Sequence, residues 1–402
     1  MASITKRTWT NDDGSNSAAF VVSYKDQHGK RHRKQFSKKK DADAWLVKAR
    51  AEVAQGIHTP DSTALTISEA AELWLRACSL GRDGREPVEP HTWRVYDSHV
   101  RLHIDPLIGD QRVGRLTAPD VANFRDALLS KLSRVSAKKV LSSLYAILAT
   151  CHTRGLVAQN VAIGISISDS GRRKAKIEIP SKANVKAILE TAQTWSMSNQ
   201  AHVAKAWRRY HALLMTAALT GMRASELRGL RKLDLDLSGT LIRVRQRADE
   251  KGIIGHLKSD AGERDIPIAK ELASVLRRWL VECPPSDLVF PNWTGNVESH
   301  GNITNRCWKP ILKRAGITQS FKFHTLRHFH ASMLIATDAT PKEVMSEMGH
   351  ASIQMTFDTY GHLFPEDDAA RKVRAEAMAA DILRSNKKTS AFSCIAESLE
   401  AI

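Results

Sequence analysis

With 402 residues, 42% hydrophobic and 26% charged, the chain has the make-up of a folded globular protein and is too long for one ordinary core. Its 60 Lys and Arg against 43 Asp and Glu leave a formal charge of +17, which favours a polyanionic partner, nucleic acid before any other. Cys78, Cys151, Cys283, Cys307 and Cys394 are scattered and never form a C-x-x-C pair, and no stretch approaches the roughly 18 apolar residues of a membrane span, so a disulfide framework, a zinc ribbon and a membrane protein are all disfavoured.

Residues 18–24 are β-formers, 26–29 form a turn and 30–36 supply a return strand, so the chain opens on a small sheet of two or three strands. Ala42, Trp45, Leu46 and Ala49 then recur at helical spacing, with Ser37 able to cap the helix and Gly56 to stop it. Lys30, Arg31, Arg33, Lys34, Lys38, Lys39 and Lys40 are tightly grouped here. They suit a sheet laid on DNA phosphates, the bland alternative being a solvated hairpin. Residues 1–60 are expected to be one domain.

After a short linker, Thr66 and Glu69 form a capping box that opens a helix through Leu73, Trp74 and Leu75. Helical patterns resume with Trp93, Tyr96 and Val100, with Val121, Phe124 and Leu128 after a start at Thr117, Pro119 and Asp120, and with Val140, Leu144, Ile147 and Cys151 before Gly155. An all-α bundle of about four helices is expected over 65–168. A polar basic run at 169–176, containing Arg172, Arg173 and Lys174, reads as a second linker able to touch DNA. From 177 to 385 helices alternate with a small β-patch, a strand at 240–246 and what looks like a second hairpin at 252–268, giving a mixed α+β, mainly α, domain. Residues 386–402 form a polar tail, and no internal repeat is visible.

The chemistry-bearing residues concentrate in that last domain. A glycine, Gly221, joins an apolar helix to a second one and leaves Arg223 at its start, with Glu226 three residues on. Far downstream His324 and Arg327 sit one helical turn apart, Thr340 and Glu343 form another capping box, and Gly349-His350 ends that helix ten positions before Tyr360. Two arginines, which stay protonated and offer planar bidentate donors, suit the extra charge of a pentacoordinate phosphorus. A tyrosine hydroxyl, with an ordinary pKa of about 10, needs help from a histidine to become a nucleophile. A lysine can protonate the leaving oxygen; Lys258, on the turn of residues 257–264, is the candidate, with Lys251 close by as the alternative.

Taken together, residues 218–230, 257–268, 324–328 and 348–362 resemble, in order and spacing, the successive motifs of the tyrosine recombinase (phage integrase) family. The resemblance covers the C-terminal half. It implies Arg223 and Arg327 as phosphate-binding arginines, Lys258 as general acid, His324 as the assisting histidine, His350 at the family's His-or-Trp position, Tyr360 as nucleophile and Glu226 as a brace. His328 and His330 fall outside that set and are expected to be structural. The resemblance also implies a 3′-phosphotyrosyl intermediate that needs no cofactor, neither ATP nor metal, and the chain carries no Walker motif. The N-terminal sheet is similar to integrase arm-binding domains and the helical middle to core-binding domains, which with the catalytic domain would clamp double-stranded DNA. A homo-tetramer on attachment sites, assisted by an excisionase and a DNA-bending protein, in the cytoplasm of a bacterial host on the nucleoid, completes the expectation. The Ala-rich helix after Tyr360, with Val373, Met378 and Ile382, is expected to dock on a neighbouring protomer or to pack in cis.

Three rivals remain to be weighed. A zinc hydrolase built on His324, His328 and His330 lacks the glutamate of H-E-x-x-H and has Arg327 among its would-be ligands. A non-catalytic sequence-specific DNA-binding regulator accounts for the charge but leaves Arg223, Arg327 and Tyr360 without a purpose. A chromosome or plasmid resolvase shares the chemistry, and the added basic N-terminal domain favours an integrase over it.

Overall fold

The computed structural model describes residues 2–13, 15–26, 29–54, 64–82, 84–168, 177–257, 259–364 and 368–389. The chain divides into two compact units, residues 1–174 and 175–402.

The first unit opens on an antiparallel sheet of β1 (Ser3–Thr10), β2 (Asn16–Lys25) and β3 (Arg31–Phe36), with β2 in the centre. The 18–36 hairpin is therefore joined by an additional strand before it, whose Thr5 pairs with Val21. Alternation along β2 sends Phe20, Val22 and Tyr24 to one face, where α1 (Lys39–Ala54) covers them with Ala42 and Leu46. Each large side chain buried there contributes roughly 1.5–3 kcal/mol.

The helical part follows. Thr66 caps α2 (Ile67–Leu80) with the full capping box to Glu69, and Thr117 does the same for α5 (Ala118–Lys131) through Asp120. Between them α3 (Pro90–His99) runs through a π-helical turn, Val100–Ile104, into the short α4 (Asp105–Ile108), so that residues 90–108 form one rod. The π turn stands directly before Pro106, whose missing N–H removes one i→i−4 bond. The fourth rod is α6 (Arg134–Thr153), after which Gly155 turns the chain at φ +70°. Ile67, Trp74, Cys78, Ile104, Phe124, Leu144, Ile147 and Cys151 fill the centre.

In the second unit α7 (Lys182–Ser196) packs on α8 (Ala201–Thr220), and α9 (Ala224–Gly229) follows after a left-handed glycine. The β-patch departs from the sequence expectation. Strands β4 (Leu235–Asp236), β5 (Leu241–Val244) and β8 (Arg264–Pro267) form one sheet, while β6 (Arg247–Ala248) and β7 (Ile254–Gly255) pair with each other. Residues 252–268 are thus not a hairpin of their own: β7 belongs to β6 and β8 to β5. The cause is burial. Ile266 finds a fully buried partner in Ile242, whereas Ile254 lies exposed and offers no core face.

Helix α10 (Lys270–Glu282) covers this sheet's side of the core through Leu272, Leu276 and Trp279. Then α11 (His300–Asn302), a second π turn, Ile303–Trp308, placed just before Pro310, and α12 (Lys309–Arg314) lead into α13 (Thr325–Ala336), α14 (Pro341–Met348) and α15 (Ile353–Tyr360). A separate small core of Ala331, Ile335, Val344, Met348 and Tyr360 locks α13, α14 and α15 together. Helix α16 (Asp368–Thr389) continues past Leu383, and residues 390–402 lie outside those described. No described helix is long and apolar enough to cross a membrane.

Candidate active site

The corner between α8 and α9 is built on Gly221, whose φ of +59° favours glycine and whose Cβ, if present, would lie 2.6 Å from the His330 ring. Arg223 is the N-cap of α9: its backbone N–H donates to Glu226 Oε2 at 2.9 Å, and its guanidinium donates to Glu226 Oε1 at 2.7 Å and to the Gly349 carbonyl at 2.9 Å. Glu226, buried, also accepts from Arg264 Nη2 at 2.9 Å. Arg264 in turn reaches the carbonyls of Gly262 and Glu347 at 2.9 and 2.7 Å. Burial alone would raise the Glu226 carboxyl, but Arg264 and then Arg223 outweigh it and hold it below the usual range.

Arg327 comes from the first turn of α13, where His324 is the N-cap. Only 4% exposed, it donates to the Gly221 carbonyl at 2.7 Å and to the Met348 carbonyl. Both acceptors lie where α8 and α14 end, and the left-handed Gly349 after α14 supplies the acceptor for Arg223. Helix C-termini carry partial negative charge and unpaired carbonyls, so they fix two guanidiniums without neutralising them. Arg223 remains a third exposed, which leaves it accessible to an anion. Burial, followed by the Arg223 charge, disfavours the Arg327 cation, so an added anion here lowers a standing electrostatic cost.

Tyr360 ends α15 with 1% exposure. Its ring stacks nearly parallel on His350 at 6.2 Å between centroids, and its hydroxyl lies 2.8 Å from His328 Nδ1. Burial pushes the phenol up to about 12, opposed by the charges of Arg327 and Arg223. His350, whose Nδ1 lies 2.9 Å from Thr356 Oγ1, is pulled down to about 4 by burial and then by Arg327, Arg223 and Arg264. It is neutral at pH 7. The His324 ring meets His328 edge-on at 4.9 Å and is likewise held below the ordinary histidine range, by desolvation first and by His328, Arg327 and Arg223 after it, although the residue's outer side is exposed.

Arg223, Glu226, His324, Arg327, His350 and Tyr360 therefore meet in one place. Lys258, Arg172, Arg173 and Lys174 lie outside the described residues. Lys251 is exposed on the β6–β7 turn, its N–H bound to Asp249 Oδ1 at 2.9 Å. In the N-terminal sheet, Arg31 and Arg33 point to the face opposite α1, where the register also places Arg7, and Lys30, Lys38, Lys39 and Lys40 are exposed around its edge. Lys34 departs from this group: it faces α1, with Nζ 4.8 Å from the Trp45 ring centroid, because strand alternation turns it away from Arg33.

Two residues of the site were not singled out in the sequence. His328, expected to be structural, has its Nδ1 2.8 Å from the Tyr360 oxygen; its place four residues after His324, on the same helical face, was the available signal. Arg264 had only its alternate position in a short strand to mark it. His330, by contrast, does play a structural part, 2.8 Å from Glu347 Oε1. No group of three His, Cys, Asp or Glu converges as a metal site among the described residues.

Residues 181–367, which contain every one of these site residues, match the phage integrase family. The putative prophage phiRv2 integrase of Mycobacterium tuberculosis is 28% identical over 352 residues, covering 84% of this chain and 87% of its own. Over residues 181–367 the chain has the family's tyrosine recombinase domain. The fold of the recombinase is that of the Tn1549 transposon integrase solved with circular intermediate DNA, at a TM-score of 0.62 and 17% identity over 78% of this chain and all of that one. It is also that of a lambda integrase tetramer bound to a Holliday junction, at 0.54 and 16% over 86% and 95%.

Proposed function

We propose that this recombinase cuts and rejoins double-stranded DNA at specific sites through Tyr360, integrating and excising a phage or other mobile element. The observation that carries this is the convergence of a buried phenol with two guanidiniums held by helix C-termini and three histidines held neutral or crowded by positive charge. Arg223 and Arg327 hold the scissile phosphate and stabilise the charge that grows in the pentacoordinate state. His350, its Nδ1 engaged by Thr356, keeps Nε2 for a phosphate oxygen, and His324 stands at the start of α13 against His328. Glu226 braces both Arg223 and Arg264 rather than reacting.

In cleavage the Tyr360 oxygen bonds to phosphorus, the bond to the 5′-oxygen breaks, and a 3′-phosphotyrosyl ester conserves the bond energy. Lys258 is assigned the proton for the leaving 5′-oxygen. Attack by a 5′-hydroxyl from a partner duplex reverses the step and joins the strands, with no ATP or metal required. The Arg7, Arg31 and Arg33 face of the N-terminal sheet suits arm-type sites, and the helical bundle suits core-type sites. Val373, Met378, Ile382 and Leu383 are each about two-thirds exposed on α16, which supports docking on a neighbouring protomer in a tetramer rather than packing in cis. An excisionase and a DNA-bending protein complete the partner set for directional integration.

A nicked suicide duplex spanning the element's own crossover site, located by sequencing its junctions with host DNA, tests the proposal. The wild type should accumulate a covalent adduct and Tyr360→Phe none while still binding. Binding with no adduct from the wild type would make the chain a regulator.

A further inference from the structure

Resting on the tyrosine-nucleophile reading, we propose that His328 is the base that takes the Tyr360 proton, a catalytic role that the motifs of the chain do not assign to it. Among the described residues, His328 is the one side chain hydrogen-bonded to the phenolic oxygen, Nδ1 to Oη at 2.8 Å. The neighbouring rings are placed for other tasks: His350 lies nearly parallel to the tyrosine ring, 6.2 Å between centroids, and has its own Nδ1 on Thr356, while His324 makes a T-shaped contact with His328.

A phenol that is 1% exposed cannot lose its proton to bulk water at the moment of attack. Burial has already made it a weaker acid than usual. The acceptor has to be a group already in contact, which His328 is. The groups that face this pair are Arg327, which adjoins His328 and bears on both rings, Arg223, which bears on Tyr360, the two histidines named above, and Glu226 behind the arginines. The positive charge among them has two effects. Together with burial, which acts first, it holds the His328 imidazole below the ordinary histidine range, so that Nδ1 has a lone pair to offer. It also makes the imidazolium formed in cleavage unstable, so the proton returns readily in the rejoining step.

The step balances. The tyrosyl O–H bond breaks, its proton goes to His328 Nδ1, and its electron pair forms the O–P bond; the P–O5′ bond breaks and O5′ takes a proton from the general acid. Rejoining returns the His328 proton to the departing Tyr360 oxygen. The mechanism requires the His328 tautomer with hydrogen on Nε2 and none on Nδ1.

Two measurements on the full chain decide it. In 15N-histidine NMR of the free protein, with His328 assigned by His328→Gln, Nδ1 should appear as an unprotonated, hydrogen-bond-accepting nitrogen whose shift moves in Tyr360→Phe; a protonated Nδ1 overturns the proposal. On the suicide duplex, His328→Asn, which can hold the hydroxyl but not accept its proton, should slow adduct formation about a hundredfold or more. Replacing Tyr360 by the more acidic trifluorotyrosine should then recover most of that loss. Cleavage by His328→Asn within threefold of wild type, or a loss that trifluorotyrosine leaves unchanged, means that His328 at most positions the ring. Failure of the wild type itself to form an adduct refutes the nucleophile reading instead, while the NMR result still reports the hydrogen bond on its own.

Discussion

Replacing Glu226 by Gln removes one negative charge from between two guanidiniums while keeping the shape of the side chain. The Arg264–Glu226 pair has both partners at 5% exposure or less, so leaving Arg264 without its counter-charge falls in the range of a broken buried pair, about 3–5 kcal/mol. The Arg223 pair, with the arginine a third exposed, adds no more than about 1 kcal/mol after solvent screening. Glutamine still accepts through one oxygen, so the lower end, about 3 kcal/mol, applies. For a folding unit of some 200 residues this corresponds to a Tm drop of about 6–12 °C. Calorimetry of the full chain should place that drop in one of its transitions and leave the other in place. The pH dependence fixes the sign. Because the folded carboxyl titrates below its ordinary 4.5, its stabilisation is complete above that value and is lost as pH falls through the folded one. The gap between wild type and Glu226→Gln should thus be constant from pH 7 to about 5 and close below. A Tm change under 2 °C at pH 7, or a gap that persists unchanged at pH 3, would refute the reasoning.

Two further experiments probe different parts of the chain. Arg223→Ala or Arg327→Ala should slow adduct formation by about a hundredfold or more with site binding largely retained, because each removes a donor whose full worth is realised in the transition state; equal losses of binding and cleavage, measured by gel shift and adduct yield, would make them structural. Replacing Arg31 and Arg33 together by Ala should weaken binding to arm-type DNA and reduce the slope of log affinity against log salt by about 2. A salt slope that stays the same means that this face of the sheet does not meet phosphate.

The sequence by itself determined the capping boxes at Thr66, Thr117 and Thr340 and the glycine corner before Arg223, because each follows from local pattern, and the resemblance in motif order pointed to Arg223, His324, Arg327, His350 and Tyr360, which the fold brings together. Cap chemistry and helical period act within a few residues and need no partner from far away. What only the tertiary structure decided depends on pairing across long separations. Strand β8 chose β5 over the nearer β7 because Ile266 and Ile242 bury each other. Lys34 turned from the face of Arg31 and Arg33 to Trp45 because its strand alternates against α1. Arg264 and His328 make their contacts with Glu226 and Tyr360, 38 and 32 positions away, so spacing along the chain could at most mark His328 as a helical neighbour of His324.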